Sequence, residues 1–520
     1  MSNPSNYQYQ YEIPFQNRNW THDPAQSRHD AHNKHKNNKL FKKISKALLN
    51  TLHQTKFKYF LLLTILVIFF MMFVVYEEKS LSPKSTIKQK VAPKRQTELS
   101  EIAQIEVKPE IVPSPDVHQN LKKRNELRRS EIIKSFVHAY GGYMKNAFGY
   151  DELRPVSNET NSSWGGFGVT MFDALDTLVL MLMHDTTSEH IAQLQDMYEQ
   201  TRTWIEGVSF DKNYDASFFE SSIRYLGGML GAFELTKDKM YLSKAVDIAD
   251  RLVYAFETPT GVAHSIVNLQ QHTSRNPSWT RGSSILAEAA SVQLEFMYLS
   301  HHTQNGMYAD KAHKVIQLLS QAESTDGLFP VYIDPVTGKF TNVLVSFGGL
   351  GDSFYEILLK QYLLSNKQND MFKDMYLAAM TGMNNLLIFP PVTDSQNVSG
   401  RFLGEYDVSR RELIPEMDHL VCYVPGMLSL GSASGVAGEL SNLHMKIAED
   451  LLQSCFRLYD ESPSGLAAER IKFDTTPADS QVNQVPYKAV GYTYLLRPET
   501  IESIFMLYRI THDEKYRDWG

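Results

Sequence analysis

Residues 345–362 read VSFGGLGDSFYEILLKQY: glycines loosen the chain up to Asp352, after which apolar residues recur at helical spacing. Asp352 and Glu356 are four apart, so on a helix both carboxylates share one face, beside Tyr355 and above Leu358 and Leu359. Taken alone, this is a helix N-terminus whose acids satisfy free N–H donors and the positive end of the dipole. The layout recurs, however, in FDALDT at Asp173, FFESSIR at Glu220, ILAEAA at Glu288, MDHLVC at Asp418 and RPETIES at Glu499. Helix starts led by an acid and followed by apolar or small residues are expected to aim their N-terminal ends at one shared pocket.

The chain of 520 residues has the composition of a globular protein and is long enough for one large or two ordinary domains. Its net charge of −7 gives no reason to expect nucleic acid as a partner. Two cysteines exclude a disulfide scaffold and a cysteine-rich metal site but leave room for one bridge. The 17 histidines show no HExxH or similar spacing, so the residues themselves point to no metal site.

Outward from the opening stretch, the chain divides into four parts. Residues 1–58 are a disordered tail, rich in Asn, Gln, His and Ser at first and basic from Lys39 onward. Residues 59–76, YFLLLTILVIFFMMFVVY, carry no charge. At about 1.5 Å per residue they are just long enough to cross the hydrocarbon core of a lipid bilayer as a single transmembrane helix. The segment begins too far from the N-terminus for a signal peptide and lacks a small-residue cleavage pattern. Basic residues precede it while Glu77 and Glu78 follow, which places the N-terminus in the cytosol and the rest in a lumen, as in a type II membrane protein. Residues 77–121 alternate Lys, Glu, Ser and Pro and read as a stem. Residues 122–520 are amphipathic helical segments joined by loops, a mainly helical domain too large for a simple bundle.

Sequons at Asn158, Asn161 and Asn397 lie on the luminal side and mark candidate glycosylation sites. Cys422 and Cys455 fall in the same compartment, where two thiols more often pair than stay free, so a disulfide between them is expected.

The chemistry is concentrated in FFESSIRYLGGMLGAF at 218–233 and LLRPETIESIFMLYR at 495–509. Glu220 and Arg224, four apart, can hold a carboxylate beside a sugar hydroxyl or form a weak surface pair. Pro498 suits a helix start, and Glu499 and Glu502 then face one way between apolar flanks.

Together with AFGYDELRPV, FDALDTL, GSSILAEAASVQLEF, GGLGDSFYEILLKQYL, MDHLVCYVPG and LLRPETIESIFMLYRITHDEKYRDWG, these segments resemble glycoside hydrolase family 47, the class I α-1,2-mannosidases. The likeness runs over residues 122–520 and is closest to the Golgi processing enzymes. It implies an (α/α)7 barrel whose inner helices converge on an acidic pocket, and an inverting hydrolase that trims oligomannose N-glycans on glycoproteins. Glu220 resembles the family's general acid, Glu499 its general base, and Asp352 the third carboxylate that shares acid or base duty. Asp173, Arg224, Glu288, Glu356, Glu469 and Glu502 fall on positions that line the pocket and hold sugar or water. Cys422 and Cys455 match the family's disulfide pair. A crowded set of carboxylates repels itself, so some are expected to hold their protons to unusually high pH.

The resemblance also implies a calcium ion, whose one direct protein ligand in the family is the threonine of a Thr-Glu-Ala-His segment on a closing hairpin. That segment is absent from these 520 residues, so the expected barrel lacks its last helix pair and the hairpin. Leu350 stands where enzymes of the endoplasmic reticulum that remove one mannose usually carry Arg, which implies a roomier, Golgi-type pocket. The expected location is therefore the Golgi membrane, with the endoplasmic reticulum membrane as the alternative. Two readings compete with the hydrolase: a catalytically impaired, membrane-tethered oligomannose-binding protein, and a helical scaffold for protein partners. The scaffold leaves the acids at helix starts unexplained.

Overall fold

The computed structural model describes residues 115–520 apart from 185–189, 390–391, 394–398 and 474–486. The tail, the candidate transmembrane helix at 59–76, most of the stem and the sequon at Asn397 lie outside the described residues. Among the described residues no helix is long and apolar enough to cross a membrane.

The first helix, α1 (Pro115–Asn146), begins inside the segment expected as stem, at a proline whose missing N–H costs nothing in a first turn. After it, two kinds of helix alternate. The outer kind is amphipathic: α4 (Ile191–Gly207), α7 (Lys239–Leu252), α10 (Met307–Ser320), α12 (Asp370–Leu386), α14 (Ser441–Asp460) and the short α16 (Glu514–Trp519). In α7 the buried residues Tyr241, Ala245, Ile248, Ala249 and Leu252 keep the three- and four-residue spacing of one face. The inner kind is apolar on most sides: α3 (Leu175–His184), α6 (Gly228–Thr236), α9 (Gln293–Thr303), α11 (Asp352–Leu364), α13 (Val424–Ala433) and α15 (Glu499–Thr511). In α11, Phe354, Tyr355, Ile357, Leu358, Leu359, Gln361 and Tyr362 are all buried, which a helix wrapped by neighbours requires.

Each inner helix packs on the outer helix that follows it, and the inner helices pack in series, α3 on α6, α6 on α9, α9 on α11, α11 on α13 and α13 on α15. This is the helix-pair arrangement expected of an (α/α) barrel. Between α15 and α3 the ring is not packed shut: a groove of about 910 Å³ is lined by Leu127, Ile132, Leu180, Ile501 and Phe505, among others. Across it, α1 reaches α16 through Arg124 to Glu514 at 2.7 Å and Arg128 to Asp518 at 2.7 Å, each pair 390 residues apart in sequence.

Close approach is fixed by small residues. A Cβ on Gly228 would lie 2.4 Å from the Phe172 carbonyl, so α6 can meet the short helix α2 (Val169–Asp173) only without a side chain there. Asp151 is fully buried and accepts from the N–H groups of Trp164, Gly166, Phe167 and Gly168 at 2.7 to 2.9 Å, which shapes the loop that delivers α2.

Short strands pin the entries to the acid-bearing helices. Strand Asp215–Ser217 runs into α5 (Phe218–Ser221), Ser284–Ile285 into α8 (Leu286–Ala289), and Leu344–Val345 into the loop before α11. Strand Glu416–Asp418 enters the 3-10 turn His419–Tyr423 ahead of α13, and Tyr487–Gly491 precedes α15. All are antiparallel and lie in two- or three-stranded sheets. Ladders this short were not expected from a sequence with little β-branched alternation.

Candidate active site

Asp352 is the first residue of α11, entered through the loop 346–351. The loop leaves no space: a Cβ on Gly351 would sit 2.2 Å from the Ser346 carbonyl, and Leu350 adopts a left-handed φ of 74°, a strain unusual for a branched side chain. The Leu350 carbonyl accepts from the Ala287 N–H at 2.9 Å, tying the loop to α8, while Gly349 N–H donates to Asp418 at 3.1 Å. Gly351→Ala is therefore expected to destabilise the domain by about 2 to 3 kcal/mol, because the new contact is with backbone and cannot rotate away. A denaturation midpoint unchanged in the variant would contradict that packing.

Asp352, Glu356 and Lys360 form one stripe along α11. Lys360 Nζ contacts Glu356 Oε1 and reaches Glu502 Oε1 of α15 at 3.4 Å. Burial, and then the charges of Glu356 and Glu499, raise the Asp352 carboxyl from its ordinary range to about 7. Glu499 and Glu502 are also raised, in both cases chiefly by burial. Glu295, on α9, is pushed by burial to about 7, with Lys360 pulling it down and Glu356 up. Tyr423, whose phenol burial holds far above its ordinary range, donates to the Asp352 carbonyl at 2.9 Å.

A second group stands on the other side of α8. Arg224, in a π-helical segment (Ser222–Gly227), donates to Glu220 Oε2 at 2.9 Å and to Asp173 Oδ2 at 2.5 Å, with Trp164 beneath its guanidinium at 5.3 Å. Single-turn π geometry often accompanies functional residues. Glu288 is raised by burial and by the Glu220 charge, so the two carboxylates face common ground. The groups are linked twice: α8 carries Glu288 and bonds to Leu350, and Glu295 lies beside Gly227 of the π segment.

Glu469 is clamped by Arg497, whose Nε donates to its two carboxylate oxygens at 2.9 and 2.8 Å, and the Arg497 charge offsets part of the rise that burial gives the Glu499 carboxyl. His419 Nδ1 lies 3.9 Å from Glu499 Oε2, and burial keeps that imidazole neutral, with its pKa near 4. Asp418 accepts from Arg470 at 2.8 Å. Among the described residues, Oε2 of Glu295 and of Glu499 is buried with no hydrogen-bond partner, and the Glu288 carboxylate has Ser265 beside it.

Two of the expected helix starts differ. Asp173 ends α2 rather than leading a helix, and Asp418 closes a strand. In both cases the side chain reaches the site from the element before the inner helix. Glu295, Lys360, His419 and Arg497 were not singled out from the sequence. Glu295 had a signal, since it lies two turns beyond Glu288 and is the lone acid in VQLEF.

Cys422 and Cys455 form a disulfide with Cα atoms 5.9 Å apart. Asn158 is exposed in a left-handed turn position, whereas Asn161 donates its side-chain amide to Glu152 at 2.7 Å and to Ser163 at 2.9 Å. A calcium ion takes six to eight oxygen ligands. Among the described residues no three His, Cys, Asp or Glu side chains gather as a metal cage, so these side chains do not by themselves form the site that the resemblance implies.

The model of glycosyl hydrolase family 47 matches residues 135–520. Mannosyl-oligosaccharide 1,2-alpha-mannosidase MNS1 of Arabidopsis thaliana is 38% identical over 398 residues, 76% of this chain and 66% of that protein. The endoplasmic reticulum mannosyl-oligosaccharide 1,2-alpha-mannosidase of Homo sapiens is 36% identical over 438 residues, 83% of this chain and 58% of that protein. The chain thus spans 66% and 58% of the lengths of these relatives. Among solved structures, alpha-1,2-mannosidase from Trichoderma reesei superposes with a TM-score of 0.66 at 28% identity, covering 75% of this chain and 82% of that one.

Proposed function

Since the chain belongs to glycosyl hydrolase family 47, we propose that it is a mannosyl-oligosaccharide 1,2-α-mannosidase that trims oligomannose N-glycans on glycoproteins. The observation that carries this reading is the convergence of Asp352, Glu356, Glu499, Glu502 and Glu295 from three inner helices, with several of the carboxyls raised.

Glu220 is the acid that protonates the departing glycosidic oxygen, held in place by Arg224. Glu499 is the base that takes a proton from water attacking the opposite face of the sugar, with neutral His419 beside it. Asp352, raised to about 7 beside Glu356 and Glu499, is the third carboxyl that shares acid or base duty. Asp173, Glu288, Glu356, Glu469 and Glu502 hold sugar hydroxyls. The reaction inverts the anomeric carbon, because acid and base act from opposite faces. A calcium ion, if bound by the sugar and by further ligands, supplies positive charge and orientation at the terminal mannose.

The disulfide and the sequons suit the lumen of the secretory pathway, with the chain anchored through residues 59–76 in the Golgi or endoplasmic reticulum membrane. Leu350 leaves the pocket roomy enough for several branches.

The test is incubation of the chain with a fully mannosylated oligomannose glycan, followed by NMR of the freshly released sugar. β-Mannose appearing first, from several branches, is the expected result, and Leu350→Arg is expected to stall the product after a single mannose. α-Mannose as the first product would overturn the inverting assignment, and glycan binding without release would favour the binding protein.

A further inference from the structure

The site's carboxylates outnumber its cations, and three of the cations are already committed. Arg224 serves Glu220 and Asp173, Arg497 serves Glu469, and Arg470 serves Asp418 and Glu416. Lys360 is the cation that reaches the group around Asp352, and it does so across two helices, from Glu356 on its own α11 to Glu502 on α15. Resting on the functional reading above, we propose that Lys360 is a positioning residue: a fixed positive charge that ties α15 to α11 beneath the reacting carboxylates and decides which of them carries the proton.

The geometry favours a device over an incidental surface pair. Lys360 stands two helical turns below Asp352, with Glu356 midway between them, so a charge at its ammonium acts along one face of the helix. Glu502 is one turn into α15 from Glu499, so the same ammonium sets the rotation of the helix that presents the base. The groups that face it are Glu356 from α11, Glu502 from α15 and Glu295 from α9, with Asp352, Glu499 and the phenol of Tyr423 beyond them. Carboxylate charge holds Lys360 itself protonated, in the order Glu356 and then Glu502, against the opposing effect of burial.

Removing the charge leaves Glu356 and Glu502 facing each other without a counter-ion, and every nearby carboxyl then holds its proton to higher pH. Lys360→Met should accordingly move the acidic limb of the pH profile of kcat/KM, which follows the base Glu499 beside Glu502, upward by about one unit, and Lys360→Arg should restore it. The thermal midpoint of the full chain, measured without substrate from pH 5 to 8, should fall more steeply in Lys360→Met than in the parent, because more protons bind the folded than the unfolded state over that range. If Lys360→Met does not accumulate, Lys360→Gln carries the same two readouts.

A lowered midpoint with an unmoved pH profile, or Arg and Met variants that behave alike, would overturn the proposal and leave the hydrolase reading standing. A parent chain that releases no mannose, yet shows the steepened midpoint in the variant, would sink the hydrolase reading and keep Lys360 as the cluster's electrostatic anchor.

Discussion

Asp352→Asn should lower mannose release about a thousandfold and, in the same molecule, make the fold more tolerant of neutral pH. The activity loss follows because an amide can neither give nor take the proton that Asp352 holds beside Glu499. The stability gain follows from linkage. The Asp352 carboxyl is raised in the folded chain to about 7, against an ordinary 3.8 when unfolded. Its contribution to stability is fully present below the unfolded value and is lost as pH climbs toward 7. The parent's midpoint should therefore fall between pH 4 and 7, and the variant's should fall less. Asn keeps the size of Asp, and Tyr423 bonds to the backbone carbonyl of residue 352, not to the carboxyl, so the loop has no reason to rearrange. Near-parent activity would remove Asp352 from the chemistry, and an unaltered pH dependence of the midpoint would show that its carboxyl is not raised.

Breaking the Cys422–Cys455 bond should cost about 4 kcal/mol, the chain-entropy value for the 33-residue loop it closes. Activity should fall before the domain unfolds. The Cys422 carbonyl accepts from Ser503 of α15 at 2.5 Å, and its neighbour Tyr423 donates to Asp352 at the start of α11. The turn held by the bridge thus buttresses both α15, which carries Glu499, and α11, which carries Asp352, with α14 as its anchor. Cys422→Ala with Cys455→Ala, compared with the parent by chemical denaturation and mannose release, reads both effects. Equal midpoints would mean that packing alone fixes the turn.

That the domain is mainly helical was legible because period is a strong signal, whereas the pairing into a barrel came with the family resemblance. Tyr241, Ala245, Ile248 and Leu252 mark an outer face, and the stretch FYEILL, apolar apart from Glu356, marks an inner helix. The acids Glu220, Glu288, Asp352 and Glu499 were legible because each sits in the first turn of its helix, where a carboxylate has a local reason to be. The ion pair from Arg224 to Glu220 could be expected from their spacing, but its second arm to Asp173 could not, since that contact spans 51 residues. Lys360 was opaque for a related reason: what makes it unusual is the Glu502 that α15 brings to it, and a lone charge in a helix otherwise reads as a solvated face. The entry strands, two or three residues long in most cases, are too short to show alternation.

The contact of Arg124 with Glu514 and of Arg128 with Asp518 has a bearing on how the molecule is made. The two partners emerge from the ribosome 390 residues apart, which at 5 to 20 residues per second is a delay of roughly 20 to 80 s. For that interval α1 lacks the α16 carboxylates that Arg124 and Arg128 pair with in the fold. Slowing translation is therefore expected to raise the fraction that misassembles, read as insoluble chain at equal yield.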